Sequence, residues 1–245
     1  MKKIAALLSL IFVISLATKA QSDFQLGLNF SPNISWFKAK TENVTNEGTN
    51  FGFNFGLIGD FNIADNYAFS TGINVVTIGG EISYPFAQEV ELPNSTTTSF
   101  GGKRTADITL KYIEVPLTLK LKTNEIGSLT YFGQFGFGLG VNYDASADVS
   151  FEYPSQNGGN ISDEGVDYKS EINLIRASLI VGLGAEYNLS GNTSVLFGVS
   201  FNNGFTNVLS EDAYDEDING NGTGARDKEF KAINNYILLN LGIIF

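Results

Sequence analysis

From Phe24 onward the chain is a series of eight stretches in which apolar residues take every second position. Phe24, Leu26, Leu28 and Phe30 alternate with Gln25, Gly27, Asn29 and Ser31, and Phe51 to Phe61 does the same against Gly52, Asn54, Gly56 and Asp60. Further stretches run from Tyr67 to Val75, Ile113 to Leu121, Leu129 to Tyr143, Ile175 to Tyr187, Val195 to Phe201 and Ile237 to Phe245. A period of two marks β-strands, because successive side chains leave opposite faces of the pleat. About 9–11 residues of tilted strand cross a bilayer, and most of these stretches reach that length.

Which face is outside follows from the second set of residues. A water-soluble barrel would bury its apolar face and clothe the other in charge, yet here the other face is mostly Gly, Asn, Ser and Thr. Small hydrogen-bonding residues suit the narrow interior of an eight-stranded barrel. The apolar face carries no Asp, Glu, Lys or Arg in the central part of any stretch, as contact with lipid requires. The predicted fold is all-β: an eight-stranded antiparallel up-and-down transmembrane β-barrel over residues 21–245.

The connections alternate in the same sense. Ala64–Asn66, Thr123–Ser128 and Ser190–Asn192 are short, whereas Trp36–Asn50, Gly79–Asp107, Asp144–Ser170 and Asn207–Ala232 are long. Short periplasmic turns and long extracellular loops are the usual ends of such a barrel. Phe24, Phe61, Tyr67, Tyr131, Tyr187 and Phe245 share the outward parity near the short-turn end and form a predicted aromatic girdle at the headgroup level. Trp36, Phe51 and Tyr143 are candidates for a second girdle. Beyond Val75 the apolar parity changes to Ile82, Tyr84 and Phe86, and Ile108, Leu110 and Tyr112 precede Ile113 with the same change. Matched bulges would produce it, and the hairpin is expected to continue above the membrane.

Residues 1–20 read as a signal peptide: Lys2 and Lys3, an apolar run from Ile4 to Ala17, and a small-residue cleavage site at Thr18-Lys19-Ala20. Its removal takes the formal charge from −11 to −14. That balance argues against nucleic acid as a partner. The chain has no cysteine, hence no lipid-modified cysteine, disulfide or thiolate metal site. It has no histidine either, so serine–histidine and aspartate–histidine hydrolysis lack their base, and the reading is non-enzymatic.

Few charges face inward. Asp60, Lys120, Lys122 and Glu186 fall toward the periplasmic half, and Glu114 with Arg176 toward the outer half. An unpaired charge in so narrow a space is costly, so ion pairs and hydrogen-bonded networks are expected, with a proton or ion path as the alternative. Pro116 also points inward, and its missing N–H predicts a local bulge or solvated gap. The long loops hold 19 of the 26 acids and 8 of the 15 bases, which puts most of the negative charge on the outer rim. In the last loop Asp215, Asp217, Asn219 and Asn221 place oxygens at alternating positions before Gly222, a partial calcium-loop pattern. Arg226 stands where the bidentate Glu would be, so a weak Ca²⁺ site is the only cofactor expectation.

The segment from Leu110 to Lys120, with Tyr112-Ile113-Glu114-Val115-Pro116-Leu117 at its centre, resembles the YLEIPLLLK signature of PorT-like outer-membrane barrel proteins of Bacteroidetes. Phe24 to Ser31 and the Gly182-Leu183-Gly184-Ala185-Glu186-Tyr187 strand end are similar to other parts of that family's pattern. The resemblance implies the same fold and location; the reading as a whole is a monomer in the outer membrane, in contact with lipid and with the barrel-insertion machinery, which Phe245 would serve. The resemblance also implies, as one alternative, an accessory part in type IX secretion or gliding beside envelope or secretion proteins. The residues themselves favour a structural or surface-interaction role for the acidic loops, with a small transport channel as a further alternative.

Overall fold

A computed structural model describes residues 24–40, 44–91, 97–154, 159–210 and 231–245. The signal segment and the calcium-type loop of Asp215, Asp217, Asn219 and Asn221 lie outside the described residues. The strands are β1 (Phe24–Ala39), β2 (Thr45–Ala64), β3 (Tyr67–Glu91), β4 (Thr97–Lys122), β5 (Leu129–Tyr153), β6 (Gly159–Asp167), β7 (Ile175–Ser190), β8 (Thr193–Gly204) and β9 (Ala232–Ile244).

All pairings are antiparallel, and β1-β2-β3-β4-β5-β7-β8-β9 close on themselves as a ring of eight, with β9 returning to β1. Closure leaves this wall no free edge, which is what lets strands cross hydrocarbon. β6 is a ninth strand outside the ring and pairs with β5 alone, from Ser146↔Asp167 to Tyr153↔Gly159. The expected loop from Asp144 to Ser170 is therefore largely strand.

The wall sorts its residues by parity. Leu28, Phe30, Phe53, Phe135, Phe137, Leu139, Val199 and Leu239 stand on the outer surface, while Ser31, Asn33, Asn54, Ser70, Asn202 and Asn234 are buried behind them. This is the reverse of a water-soluble core, as a lipid solvent demands.

β3 and β4 run well past that wall. Their register is unbroken from Phe69↔Leu119 through Gly80↔Ile108 to Glu91↔Thr97, apart from unpaired Gly72 and Ile73. The hairpin continues as expected, but the matched bulges do not exist. The side chains keep their direction and the surroundings change: Val76, Ile78, Ile82, Tyr84, Ala106, Ile108, Leu110 and Tyr112 point to the same inner side as Ser70 and Thr118. Below, the inside is polar and the outside meets lipid; above, the inside is an apolar core and the outside meets water. The register shifts at this height lie on the hairpin's two outer flanks: β2 shifts against β3 between Asn54↔Val76, Gly48↔Glu81 and Asn46↔Ile82, and β5 against β4, where Lys111 pairs with Asp144 and Tyr112 with Asn142.

Phe37, Ala145, Ala147, Tyr168, Ile172, Val208, Leu209, Ala232, Tyr236 and Leu238 complete that apolar core. The segments carrying Ile172 and Leu209 bridge each other, and Asn173 ties them by donating from Nδ2 to Asn207 O and Leu209 O. They lie across the long-loop end of the barrel.

Candidate functional site

Alternate inward positions on β2, β4 and β7 bring four charges together in the lower half. Lys120 Nζ lies 2.5 Å from Asp60 Oδ2 and 3.3 Å from Glu186 Oε1. Lys122 Nζ lies 3.1 Å from Glu186 Oε2 and 3.7 Å from Asp60 Oδ2. The Ser70 hydroxyl donates to the other oxygen of Asp60, and the Lys120 ammonium also sits 4.9 Å over the Phe132 ring. Two cations matched to two carboxylates leave this cluster neutral, the condition for burying it.

Higher up, Arg176 Nη1 donates to Glu114 Oε2 at 3.0 Å and its Nη2 to the Asn234 carbonyl at 3.1 Å. The Tyr236 hydroxyl donates to Glu114 as well, and its ring lies under the guanidinium. Each of the six inward charges identified by parity thus stands in one of two neutral groups. Tyr236 was missed because the apolar run of β9 is counted from Ile237; its even number already placed it on the inner face.

Between the two groups lies a cavity of about 90 Å³, bordered by Asn29, Asn74, Pro116, Gln134, Asn202 and Asn240 among others. At about 10–15 Å³ of such space per water, this is room for a handful of solvent molecules. Pro116 borders the cavity, whereas Pro32, the other proline of the wall, lies on the outward parity of β1. Beside Pro116 the β3–β4 ladder lacks Gly72 and Ile73, the gap its missing N–H predicts. Beside Pro32 the β1–β9 ladder skips from Asn29↔Gly242 to Asn33↔Leu238.

Above the cavity the barrel is pinched. The Gly79 amide donates to Ser35 Oγ at 2.7 Å, and its carbonyl accepts from Asn234 Nδ2 at 2.9 Å. Strand β3 thereby touches β1 and β9, although β2 separates them in the sheet. The absence of a side chain at Gly80 permits it: a Cβ there would meet the Phe37 ring at 2.9 Å. The polar interior ends at this constriction, and the apolar core seals it from above.

The two ends differ in chemistry. At the short-turn end a recess of about 590 Å³ is lined by Gln25, Asn62, Asp65, Lys122, Asn124, Glu125, Glu186 and Asn188. At the other end β3, β4, β5 and β6 form a four-stranded sheet beyond the wall. Its water-facing side sets Glu81 opposite Asp107, and Asp107 opposite Asp148, across three strands. Lys103 bonds Glu47 at 2.9 Å, and Lys111 bonds Asp144 at 2.7 Å. The Ser83 hydroxyl bond and then Lys103 hold the Glu47 carboxyl below the usual carboxylate range. On the inner side burial pushes the Tyr84 phenol up, beside Tyr168 at 3.1 Å.

The outward aromatics lie at the short-turn end: Phe24, Phe61, Tyr67, Tyr131, Tyr187 and Phe245 are all exposed on the outer wall, with the Phe24 and Phe61 rings 4.8 Å apart. Phe51 and Tyr143 are exposed near the opposite rim, and Trp36 stacks on Phe201 there. Among the described residues no cluster of three Asp or Glu side chains is close enough to hold a metal ion.

The profile of the family described as "Outer membrane protein beta-barrel domain" matches residues 19–210. No curated protein matches the chain. Among solved structures, OprG from Pseudomonas aeruginosa is similar at 12% identity, over 91% of this chain and 95% of that one, with a TM-score of 0.45. Neisserial surface protein A is similar at 11% identity, over 89% and 95%, with a TM-score of 0.38. Ail of Yersinia pestis, in complex with the heparin analogue sucrose octasulfate, is similar at 15% identity, over 91% and 99%, with a TM-score of 0.35.

Proposed function

The chain belongs to the outer membrane protein beta-barrel domain family, and from that premise we propose that it is an occluded, non-enzymatic barrel that holds a folded sheet outside the cell for contact with a partner. The observation that carries this reading is the continuous extension of β3 and β4 from the wall to Glu91 and Thr97, widened by β5 and β6. A loop that served only to join two strands would need a few residues. Here two long connections are spent on a sheet with its own apolar core and a charged water-facing side. The pinch at Gly79 and the neutral interior support a barrel that carries the sheet and does not conduct. Kinship with PorT-like proteins in particular rests on the Leu110–Lys120, Phe24–Ser31 and Gly182–Tyr187 segments, and is proposed on that ground alone.

Photoreactive residues placed at Thr105 and Ser150, paired beside Asp107 and Asp148 on the water-facing side, test the proposal in intact cells. Reproducible capture of one partner, lost when Glu81, Asp107 and Asp148 become amides, is the expected result. Capture of lipid alone, unchanged by those substitutions, would overturn it.

A further inference from the structure

We infer that the partner binds by adding a strand: an extended polypeptide segment, alternating basic with apolar residues, pairs along the outer edge of β6. The inference rests on the reading of the outer sheet as a contact surface, and it names the edge and the chemistry of the contact. β6 pairs with β5 alone and is the last strand of its sheet. From Tyr153↔Gly159 to Val149↔Asp163 the ladder is regular, so alternate residues of that stretch turn both N–H and C=O away from β5. Among the described residues no other backbone group meets them. Such a row is a template for one more strand.

The sheet guards its other edge. β2 covers β3 as far as Thr45↔Ser83, and Pro85, with no N–H to offer, stands just beyond. β6 contains no proline. Its bulge, where Gly165 takes a φ of 64° and donates to Asp148 Oδ1, lies past the regular stretch.

The two sides of the edge set the pattern of the added strand. On the inner side Ile161 lies opposite Phe151, and the Tyr153 ring covers Gly159, so that side is apolar. On the water-facing side Asn160 stands opposite Glu152 and Ser162 opposite Ser150. From Ala145 to Tyr168 the chain holds Asp148, Glu152, Asp163, Glu164 and Asp167 and no lysine or arginine. Lys103, opposite Glu152 on β4, is already held by Glu47. A second copy of this chain would bring two such acidic edges together. A strand with basic residues toward water and apolar ones beside Ile161 suits both sides.

The test uses the whole protein in phosphatidylcholine nanodiscs, with a short peptide alternating lysine and valine as probe. Amide hydrogen exchange over Asn160–Asp163 should slow saturably as peptide is added. Methylating every backbone nitrogen of the peptide removes its donors and should weaken binding by about tenfold or more. Ser162 is exposed on the water-facing side, so S162K should weaken binding about threefold and S162E strengthen it about as much. Protection indifferent to methylation, or falling on β3 and β4 in place of β6, would overturn the edge as the site while leaving the sheet as a contact surface. Protection of β6 without peptide, in a dimer, would overturn the choice of occupant. Crosslinking that captures lipid alone from Thr105 and Ser150 would instead overturn the reading beneath.

Discussion

Gly79 on β3 donates its amide to the hydroxyl of Ser35 on β1, at 2.7 Å, past the strand that separates the two in the sheet. The bond closes the interior. Any side chain at position 79 must displace backbone, since a Cβ there would lie 2.1 Å from the carbonyl oxygen of Ile108. Overpacking of this kind costs about 1–3 kcal/mol. G79V should therefore lower unfolding free energy in detergent by about that amount and separate β3 from β1. Unchanged stability would place the constriction elsewhere.

Lys120 is shared between Asp60 and Glu186 in a fully buried cluster. Removing one partner of a buried pair leaves uncompensated charge and costs about 3–5 kcal/mol. K120M should lose about that much in urea titrations, and D60L/K120M should lose less than the sum of the two single substitutions. Additive losses would show that the pair is not coupled.

Phe137 stands in the middle of β5 on the outer wall, half exposed in the absence of lipid. Arginine on the lipid face near the bilayer midplane costs about 2–4 kcal/mol. F137R should show that loss in liposomes. A loss near zero would mean that this face meets water.

The start of β2 is held to the sheet beyond the wall by Glu47, which accepts from the Ser83 hydroxyl at 2.6 Å and from Lys103 at 2.9 Å. Its carboxyl titrates below the usual range. A depressed folded value means that the stabilisation is present above the unfolded value of about 4.3 and is lost as pH falls through the lower folded one. Amide protection at Thr45 and Gly48 should decline on acidification through that window. E47Q should flatten the decline.

The wall was legible because lipid imposes one rule on every strand: apolar residues on one parity and none charged in the middle. The same parity placed Asp60, Lys120, Lys122 and Glu186 on one inner face, where the structure has them within ion-pair reach. Pro116 announced its gap in the β3–β4 ladder, since a missing N–H is a local fact. The change of parity after Val75 was misread as a pair of bulges. A strand leaving lipid for water reverses which of its faces is apolar, and the sequence pattern of that reversal equals the pattern of a one-residue slip. β6 was not legible because Gly159–Asp167 has no alternation: it pairs on one side only and buries little. The Gly79–Ser35 bond joins residues whose strands are not neighbours, and no local pattern encodes it.

Single-channel recording of the purified protein in planar bilayers tests the central claim, a lipid-facing wall around a sealed interior. The wild-type protein should insert and give no stable stepwise current across a wide range of voltage. A steady ohmic conductance from the wild-type protein would contradict the account.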